Sequence, residues 1–173
     1  MEEVEVVDEH DNVIGKIDKS KADASGLIHR VVAVFVFTPD GKLYLQEHIK
    51  SGGMYDHSIG GHVKKGEGYK EAAVREAEEE LGLIDSLKKI SVVYSDETLF
   101  GSKTKHMFAI FECTPSESWH FIPNEEVKNI FPLTLEETVN LMNKNPKKFT
   151  PGFLNTMREY IKRKQLPFTL SRF

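Results

Sequence analysis

The chain has 173 residues, a formal net charge of −4 and a single cysteine, Cys113. This length predicts one domain, residues 1–173, with a sizeable buried core. One cysteine excludes an internal disulfide, and the start of the chain lacks a basic segment followed by a long apolar run. We therefore expect a cytoplasmic protein without a membrane span. The acidic balance argues against stable nucleic-acid binding, which needs basic side chains, and favours small phosphorylated ligands whose charge a metal ion neutralises.

The first part of the chain alternates short apolar runs with polar turns. Residues 4–7 and 13–17 predict an edge hairpin, and residues 19–27 predict a polar connection. Residues 31–37 are apolar throughout and rich in β-branched and aromatic side chains, which predicts a strand covered on both faces. After the next turn, residues 42–46 are expected to run back beside this central strand.

The rest of the chain mixes strands with helices. Residues 90–94 and 105–112 have the composition of strands, and the polar residues 114–125 predict a surface loop that reaches over the site. Thr134 opens a helix with a capping box, and Pro151 stands in the first turn of a last helix. Strands mixed with helices in this way predict an α/β (α+β) sandwich in which loops carry the functional site.

Residues 69–81 carry the strongest functional signal. They include no Pro or Gly and are mostly Ala, Glu, Lys, Arg and Leu, which predicts a helix. Glu76, Glu79 and Glu80 fall within one arc of about 100°, because residues three and four apart are neighbours on a helix. A solvated acidic face is the simpler interpretation, but like charges at this spacing repel. A hard divalent cation needs several such oxygen ligands, so the pattern favours a metal site.

Glycines surround the turn that leads into this helix, at Gly60, Gly61 and Gly66. Glycine lets the backbone approach a ligand closely or adopt positive φ. A helix start favours anions through its free amide groups and its dipole. We therefore expect substrate phosphate near Lys64 and Lys65.

Residues 61–83 resemble the Nudix box, Gly-x5-Glu-x7-Arg-Glu-U-x-Glu-Glu-x-Gly-U, in which U is aliphatic. The matching residues are Gly61, Glu67, Arg75, Glu76, Ala77, Glu79, Glu80, Gly82 and Leu83. Ala77 is a smaller U residue than is typical. At ordinary residue usage, a chance match to the fixed positions is expected on the order of once in 10⁸ starting positions. The resemblance implies a Nudix-type α/β/α sandwich with a mixed β-sheet, in which the box forms a loop–helix–loop.

The resemblance also implies a reaction and a cofactor. The reaction is hydrolysis of the diphosphate linkage of a nucleoside diphosphate derivative or nucleotide, by attack of water on phosphorus. Mg²⁺ or Mn²⁺ lowers the pKa of a bound water and neutralises pyrophosphate charge. Arg75 is expected to orient the carboxylates by bidentate pairing and to form the catalytic set with Glu76, Glu79 and Glu80. The implied metal ligands are Glu76, Glu79, Glu80, the Gly60 carbonyl and, through water, Glu67.

The general base is left open among several glutamates that a folded chain could bring to the site. The candidates are Glu76, Glu97, Glu117 and Glu125. The box recognises only the metal and the diphosphate, so it does not identify the rest of the substrate. A homodimer is a further possibility, because twofold dimers are common among soluble proteins.

A wider similarity connects the chain to the branch of Nudix proteins that includes isopentenyl-diphosphate isomerase. The similar segments are residues 7–15, 26–30 and 58–62. The isomerase requires a cysteine and a histidine where this chain has Gly60 and Ala22. It also carries a Glu-x-Glu pair near the positions of Lys103 and Lys105. The isomerase acid–base pair is therefore missing, and the resemblance favours a hydrolase.

Several other side chains have two interpretations. His29 and His62 correspond to isomerase metal ligands, but without the other ligands each is expected to be a hydrogen-bonding residue beside the site. Trp119 and Phe121 are of a type that stacks on a nucleobase, although anchoring a loop is the more common role. A noncatalytic ligand-binding Nudix module is a third alternative, and the complete carboxylate set argues against it.

Overall fold

A computed structural model of the chain describes residues 2–48, 52–101, 103–127 and 129–171. The strands are β1 (Glu3–Val7), β2 (Val13–Asp18), β3 (Ile28–Val36), β4 (Leu43–His48), β5 (Met54–Asp56), β6 (Ile59–His62), β7 (Lys88–Asp96), β8 (Lys105–Cys113) and β9 (Ile130–Leu133). The α-helices are α1 (Lys19–Ser25), α2 (Tyr69–Leu81), α3 (Leu135–Lys144) and α4 (Pro151–Arg163). Within the described ranges, no helix has the length and apolar character needed to cross a membrane.

The strands form two sheets. The six-stranded sheet has the order β2-β1-β3-β8-β7, and β6 pairs with β3 outside this path. β3 and β8 run parallel, whereas the other pairs in this sheet are antiparallel. The smaller sheet has the order β5-β4-β9. The predicted α+β fold with a mixed sheet is confirmed.

β3 is covered on both faces, as its apolar sequence predicts. Val32 and Val34 pack in one buried cluster with Ala73 and Ala77 of α2. Phe35 packs in a second buried cluster with residues of α3 and α4. Successive side chains of a strand point to opposite faces. α2 therefore lies on one face of the sheet, and α3 and α4 lie on the other.

The strand after β3 does not lie where the sequence predicts. β4 pairs with β5 and β9, and its one bridge towards the end of β3 joins Leu43 to Phe37. β8 pairs along one whole edge of β3, and β1 and β6 share the other edge. Neither edge is left for β4, so the prediction that residues 42–46 run back beside the central strand is wrong.

Residues 19–25 form α1, where the sequence predicts a polar connection. The Asp18 carboxylate caps the helix by accepting a hydrogen bond from the Ser20 amide at 2.9 Å. Gly26 ends it with a φ of 69°. Ala22 is the buried residue of α1. A helix without an apolar stripe carries little periodic signal in its sequence, which is why the prediction is wrong here.

The helices predicted from composition and capping residues are confirmed. α2 spans the predicted residues and ends at Gly82, which has a φ of 59°. Before α3, the Glu137 amide donates to the Thr134 hydroxyl at 3.1 Å, and the Thr134 amide donates to the Glu137 carboxylate at 2.8 Å. α4 begins at Pro151.

Candidate active site

A cleft of about 1340 Å³ lies beside the six-stranded sheet. Residues of β3, β6, β8, α2 and the first turn of α4 line it. It brings together most of the residues that the sequence nominates for metal binding and catalysis. These are Gly60, Arg75, Glu76, Glu79 and Glu80.

Glu76 lies buried beneath β6, against Gly61. A methyl group on Gly61 would overlap the Glu76 carboxyl group and lie 2.6 Å from its Cγ. The first glycine of the box is therefore needed for space, to admit a carboxylate from α2 beneath the strand. Burial raises the pKa of Glu76, although its hydrogen bond from Arg75 opposes this effect.

Arg75 connects the carboxylates of the box. Its guanidinium group donates to both Glu67 oxygens, from Nε at 2.8 Å and from Nη2 at 2.9 Å. Nη1 donates to Glu76 at 2.6 Å and to Glu79 at 3.2 Å, and Nη2 donates to the His62 carbonyl at 3.0 Å. This is the bidentate geometry expected of Arg75. These hydrogen bonds raise the pKa of Arg75 and lower the pKa of Glu67.

Glu80 faces the cleft beside Gly60. Its Oε2 accepts a hydrogen bond from Gln46 at 3.1 Å and one from the Gly60 amide at 3.4 Å. Burial, followed by the nearby charge of Glu76, raises the pKa of Glu80 to about 8. Glu79 is more open, with 50% of its side chain exposed. Two carboxylates with raised pKa values and a third beside them form an oxygen donor set that fits a hard divalent cation.

Glu67 supports this set from outside the cleft lining. Its Oε2 accepts a hydrogen bond from the Lys64 amide at 2.9 Å, in addition to the two from Arg75. Among the described residues that line the cleft, Glu67 is absent. Its contacts orient Arg75, and its water-mediated binding of a metal stays a prediction.

The two lysines predicted near substrate phosphate differ in position. Lys64 lines the cleft, and its Nζ lies 3.3 Å from Glu2. Lys65 pairs with Glu3 at 2.9 Å and is not one of the described lining residues. Lys19, which the sequence did not nominate, also lines the cleft, because α1 presents it there.

The structure narrows the candidates for a general base. Glu76 and Glu97 line the cleft, whereas Glu117 and Glu125 are exposed and not found in the described part of the lining. Glu97 is 7% exposed, and its Oε1 lies 2.9 Å from Nδ1 of His106.

Three histidines and an aspartate form a cluster that the sequence did not predict. It consists of Asp23, His29, His62 and His106, and one ligand atom of each lies within 4.8 Å of the others. The Nε2 atoms of His29 and His62 are buried without a hydrogen-bond partner among the described residues. His29 Nδ1 does lie 3.0 Å from the Leu27 carbonyl. His29 Nε2 lies 3.3 Å from Asp23 Oδ1, so the ring faces a carbonyl on one side and a carboxylate on the other.

His106 gave no signal in the sequence, because it is a single histidine near the start of the mostly apolar strand β8. It reaches the cluster through the parallel pairing of β8 with β3, which aligns His106 with His29. Burial alone would lower the pKa of His106, but hydrogen bonds to Asp23 and Glu97 outweigh burial and raise it to about 9.

The loop at 114–125 packs onto the end of α2. Trp119 Nε1 donates to the Leu81 carbonyl at 3.2 Å, and Asn124 Nδ2 donates to the Glu80 carbonyl at 2.9 Å. Trp119 and Phe121 pack against the buried cluster that includes α2. Neither aromatic residue belongs to the cleft lining as far as the structure describes it. These contacts support the anchoring role over stacking on a nucleobase.

The chain's single cysteine lies away from the cleft. Cys113 is at the end of β8 and is buried in the same apolar cluster as α2. Burial raises the pKa of its thiol to about 11. Lys105, at one position of the isomerase Glu-x-Glu pair, lies 3.7 Å from Asp96. Cys113 and Lys105 therefore supply no thiol and no carboxylic acid to the cleft.

Relatives of the chain carry two different activities in their names. An isopentenyl-diphosphate Delta-isomerase from Serratia proteamaculans is 31% identical over 163 residues, which cover 89% of this chain and 88% of that protein. An uncharacterized Nudix hydrolase from Streptomyces coelicolor is 41% identical over 83 residues, 46% of each chain. A crystal structure of a Deinococcus radiodurans protein matches with a TM-score of 0.63 and 26% identity, covering 81% of this chain and 87% of that one.

The family itself is identified by a match over most of the chain. The sequence profile of the NUDIX domain matches residues 27–153. This range contains the box, the strands that hold it and the first turn of α4. The chain belongs to the NUDIX domain family.

Proposed function

We propose that the chain is a Nudix hydrolase that cleaves the diphosphate linkage of a nucleoside diphosphate derivative or nucleotide, with water attacking phosphorus. The observation that supports this most directly is the convergence of Glu76, Glu79 and Glu80 on one cleft. Arg75 holds Glu76 and Glu79 in place by hydrogen bonds. A complete and oriented carboxylate set is what phosphoryl-transfer chemistry through a divalent cation requires.

Glu76, Glu79, Glu80 and the Gly60 carbonyl would hold Mg²⁺ or Mn²⁺, which supplies charge neutralisation and a water of lowered pKa. The residues themselves prepare the site. Burial disfavours the ionised forms of Glu76 and Glu80, and a cation bound between them would favour the ionised forms again. Arg75 fixes the orientation of Glu76 and Glu79 in advance, which reduces the reorganisation needed on binding.

Positive side chains near the carboxylates suit a phosphorylated substrate. Lys19 and Lys64 both line the cleft, and each has its Nζ 3.3 Å from Glu2. Exposed pairs of this kind are weak, worth at most about 1 kcal/mol. Substrate phosphate oxygens can therefore replace Glu2 as their partner at little cost.

We further propose that the general base is Glu76 or Glu97. Both line the cleft and both are buried. Glu97 lies on the 3-10 turn at Glu97–Phe100, between β7 and β8, so it reaches the cleft from a segment outside the box. A base must lie within hydrogen-bond reach of the attacking water or reach it through one further water.

An isomerase that acts on isopentenyl diphosphate is the second candidate, and the 31% identity to the Serratia proteamaculans isomerase over 89% of the chain favours it. Isomerisation of an alkene needs an acid and a base positioned about the double bond. The cysteine position of the isomerase is Gly60 in this chain. The thiol of Cys113 lies in the apolar core, so another acid would have to replace it.

The test is a hydrolysis screen with Mg²⁺ or Mn²⁺ against nucleotide sugars, dinucleotides, nucleoside di- and triphosphates and isopentenyl diphosphate. We expect metal-dependent cleavage of one of these classes of compound. The turnover rate should fall by at least about 100-fold in the Glu79→Gln variant. Glu78→Gln is the matched control, because Glu78 is an exposed carboxylate on the same helix, outside the described cleft lining. It should keep full activity.

Running the reaction in ¹⁸O-labelled water identifies the bond that breaks. Attack on phosphorus leaves the label in a phosphate product, whereas cleavage at carbon leaves it in the organic product. Undiminished hydrolysis by Glu79→Gln would overturn the metal assignment. Isomerised isopentenyl diphosphate without hydrolysis would favour the second candidate, and tight binding without turnover would favour a ligand-binding module.

A further inference from the structure

We propose that Gly152, in the first turn of α4, is a positioning residue that holds the Glu97 carboxylate in the cleft. The proposal rests on the proposed function, in which Glu97 is one of the candidates for the general base. Gly152 lies far from the Nudix box in the chain and has no side chain that could act on a substrate. Its effect on the reaction is therefore steric.

Gly152 is in contact with two side chains of the cleft. Gly152, Glu97 and Phe108 all belong to the cleft lining. A methyl group on Gly152 would lie 2.7 Å from Phe108 Cζ, 3.2 Å from Phe108 Cε2 and 3.2 Å from Glu97 Oε1. Carbon atoms that are not bonded to each other make their best contact at about 3.5–4.0 Å. The space that a side chain would need at residue 152 is therefore already filled by Phe108 and Glu97.

Hydrogen bonds tie α4 to the rest of the protein on both sides of Gly152. Before it, Thr150 Oγ1 donates to the Asp56 carboxylate at 2.8 Å. After it, Asn155 Nδ2 donates at 2.8 Å to Oγ of Ser95, which is buried on β7. The helix therefore cannot move back to make room for a side chain at residue 152 without breaking one of these hydrogen bonds.

The Phe108 ring is also held in place. It is buried between two other rings, with its centroid 5.6 Å from that of His57 and 5.1 Å from that of His106. His57 is itself fixed to α4, because its Nε2 lies 2.6 Å from Thr156 Oγ1. A side chain at residue 152 therefore cannot push the Phe108 ring aside without disturbing the rings packed against it.

Polar contacts hold Glu97 against the backbone of Gly152. Its Oε1 lies 2.9 Å from His106 Nδ1, and its amide donates to the Thr104 carbonyl at 3.1 Å. Oε1 is also the atom that a methyl group on Gly152 would approach. A catalytic group has to be held within about 0.5 Å of its working position. Gly152 supplies part of this restraint by allowing the helix backbone to contact the carboxylate directly.

Close packing of α4 against β8 is the alternative role for Gly152. In that case a methyl group at residue 152 would lower the stability of the protein and leave the Glu97 carboxylate in place. The two roles differ in their effects on the turnover rate and on the surroundings of His106, so the experiment measures both.

The first measurement is steady-state kinetics of Gly152→Ala with the best substrate of the hydrolysis screen. Misplacement of a catalytic group by about 1 Å lowers the rate by about 100-fold. We expect kcat to fall by about 10–100-fold and KM to change by less than about 3-fold, because Glu97 acts on the attacking water and does not bind the substrate. Gly15→Ala is the matched control, since Gly15 is outside the described cleft lining and its nearest neighbour, Val6 Cβ, is 3.9 Å away. It should keep the kcat of the unaltered chain.

A change at Phe108 tests whether crowding causes the loss. Phe108→Leu removes the ring atoms Cζ and Cε2, which a methyl group at residue 152 would meet. We expect Gly152→Ala to lower kcat by at least about 5-fold less in the Phe108→Leu background than in the unaltered chain. Equal losses in the two backgrounds would overturn the steric role.

A change at Glu97 tests whether the effect of Gly152 depends on this carboxylate. Glu97→Gln keeps the shape of the side chain and removes its charge. Loss of a general base lowers the rate by about 10²–10⁴-fold, so kcat should fall by at least about 100-fold in this variant. Full activity of Glu97→Gln would overturn the proposal.

The His106 ring reports the position of Glu97 without any turnover. Because His106 Nδ1 lies 2.9 Å from Glu97 Oε1, displacement of this carboxylate changes the ¹H and ¹⁵N chemical shifts of the imidazole. We expect Gly152→Ala to shift these signals and Gly15→Ala to leave them unchanged. His106→Gln assigns the signals by their loss.

A second variant covers the case in which Gly152→Ala does not fold, which circular dichroism and thermal unfolding would reveal. Asn155→Ala frees α4 from Ser95 without adding atoms. We expect it to lower kcat and to shift the His106 signals. Unchanged kcat and unchanged His106 signals in this variant would overturn the proposal.

The outcomes separate this proposal from the proposed function. Unchanged kcat or unchanged His106 signals in a folded Gly152→Ala variant would overturn the positioning role. Shifted His106 signals, together with no hydrolysis by the unaltered chain, would overturn the proposed function and keep Gly152 as the residue that positions Glu97.

Discussion

Glu76 occupies the space that any side chain at Gly61 would need. A methyl group on Gly61 would overlap the Glu76 carboxyl group and lie 2.6 Å from its Cγ. The carboxylate comes from α2 and the glycine from β6, so their contact sets how closely the helix approaches the strand.

We expect Gly61→Ala to displace the Glu76 carboxylate and to reduce turnover by about 100-fold, because misplacement of a catalytic group by 1 Å has this order of effect. Overpacking should also lower the free energy of unfolding by about 1–3 kcal/mol. Steady-state kinetics and denaturant unfolding measure the two effects. Gly15→Ala is the control, since its nearest neighbour, Val6 Cβ, is 3.9 Å away. Equal turnover and equal free energies of unfolding for Gly61→Ala and Gly15→Ala would refute the steric argument.

Arg75→Lys tests whether the planar guanidinium group orders the box. Lysine cannot reproduce the two parallel hydrogen bonds that the planar Arg75 guanidinium group donates to the Glu67 carboxylate. We expect a loss of about 1–3 kcal/mol in the free energy of unfolding and about 10-fold weaker Mn²⁺ binding, measured by denaturant unfolding and calorimetry.

Arg163→Lys is the matched control for the arginine change. Arg163 forms an ion pair with Glu159 one helical turn away, and 56% of its side chain is exposed. Such a pair is worth about 0.5 kcal/mol. If Arg75→Lys lowers the free energy of unfolding by no more than Arg163→Lys does, Arg75 does not order the site.

Glu80 makes the stability of the metal-free protein depend on pH. The pKa of Glu80 in the folded protein is about 8, above its ordinary value of 4.5. The folded protein therefore keeps a proton that the unfolded chain releases. The contribution of protonated Glu80 to the free energy of unfolding is complete below about pH 4.5 and is lost as the pH rises to about 8.

We expect Glu80→Gln to remove this contribution to the pH dependence. With a chelator present, the free energy of unfolding of the unaltered chain should fall relative to the variant between these pH values, by at most about 1.4 kcal/mol per pH unit. Denaturant unfolding at pH 5, 6.5 and 8, chosen to span about this window, measures the difference. Parallel curves for the two proteins would show that Glu80 ionises normally.

The Trp119→Phe variant tests whether Trp119 anchors the loop at 114–125 or stacks on a nucleobase of the substrate. Phenylalanine keeps the aromatic packing but loses the hydrogen bond to the Leu81 carbonyl. We expect the free energy of unfolding to fall by about 1 kcal/mol, with KM unchanged for the best substrate of the hydrolysis screen. A KM change of several-fold with unchanged stability would instead assign Trp119 to the substrate.

The sequence alone determined the parts of this protein that depend on local patterns. The limits of α2 follow from an uninterrupted run of helix formers that ends at Gly82. The covering of β3 on both faces follows from its apolar sequence, and the start of α3 follows from the Thr134 capping box. The spacing of the glutamates on a helix was enough to place three carboxylates on one face of α2.

The tertiary structure decided the features that depend on which strands pair. β4 joined the smaller sheet because both edges of β3 were already occupied. Glu97 reached the cleft and Glu117 did not, although nothing in their local sequences distinguishes them. His106 met His29 only because β8 runs parallel to β3 in that register. Strong local patterns such as a run of helix formers or a capping box set the conformation of a segment, whereas the contacts between distant segments depend on how all of them pack together.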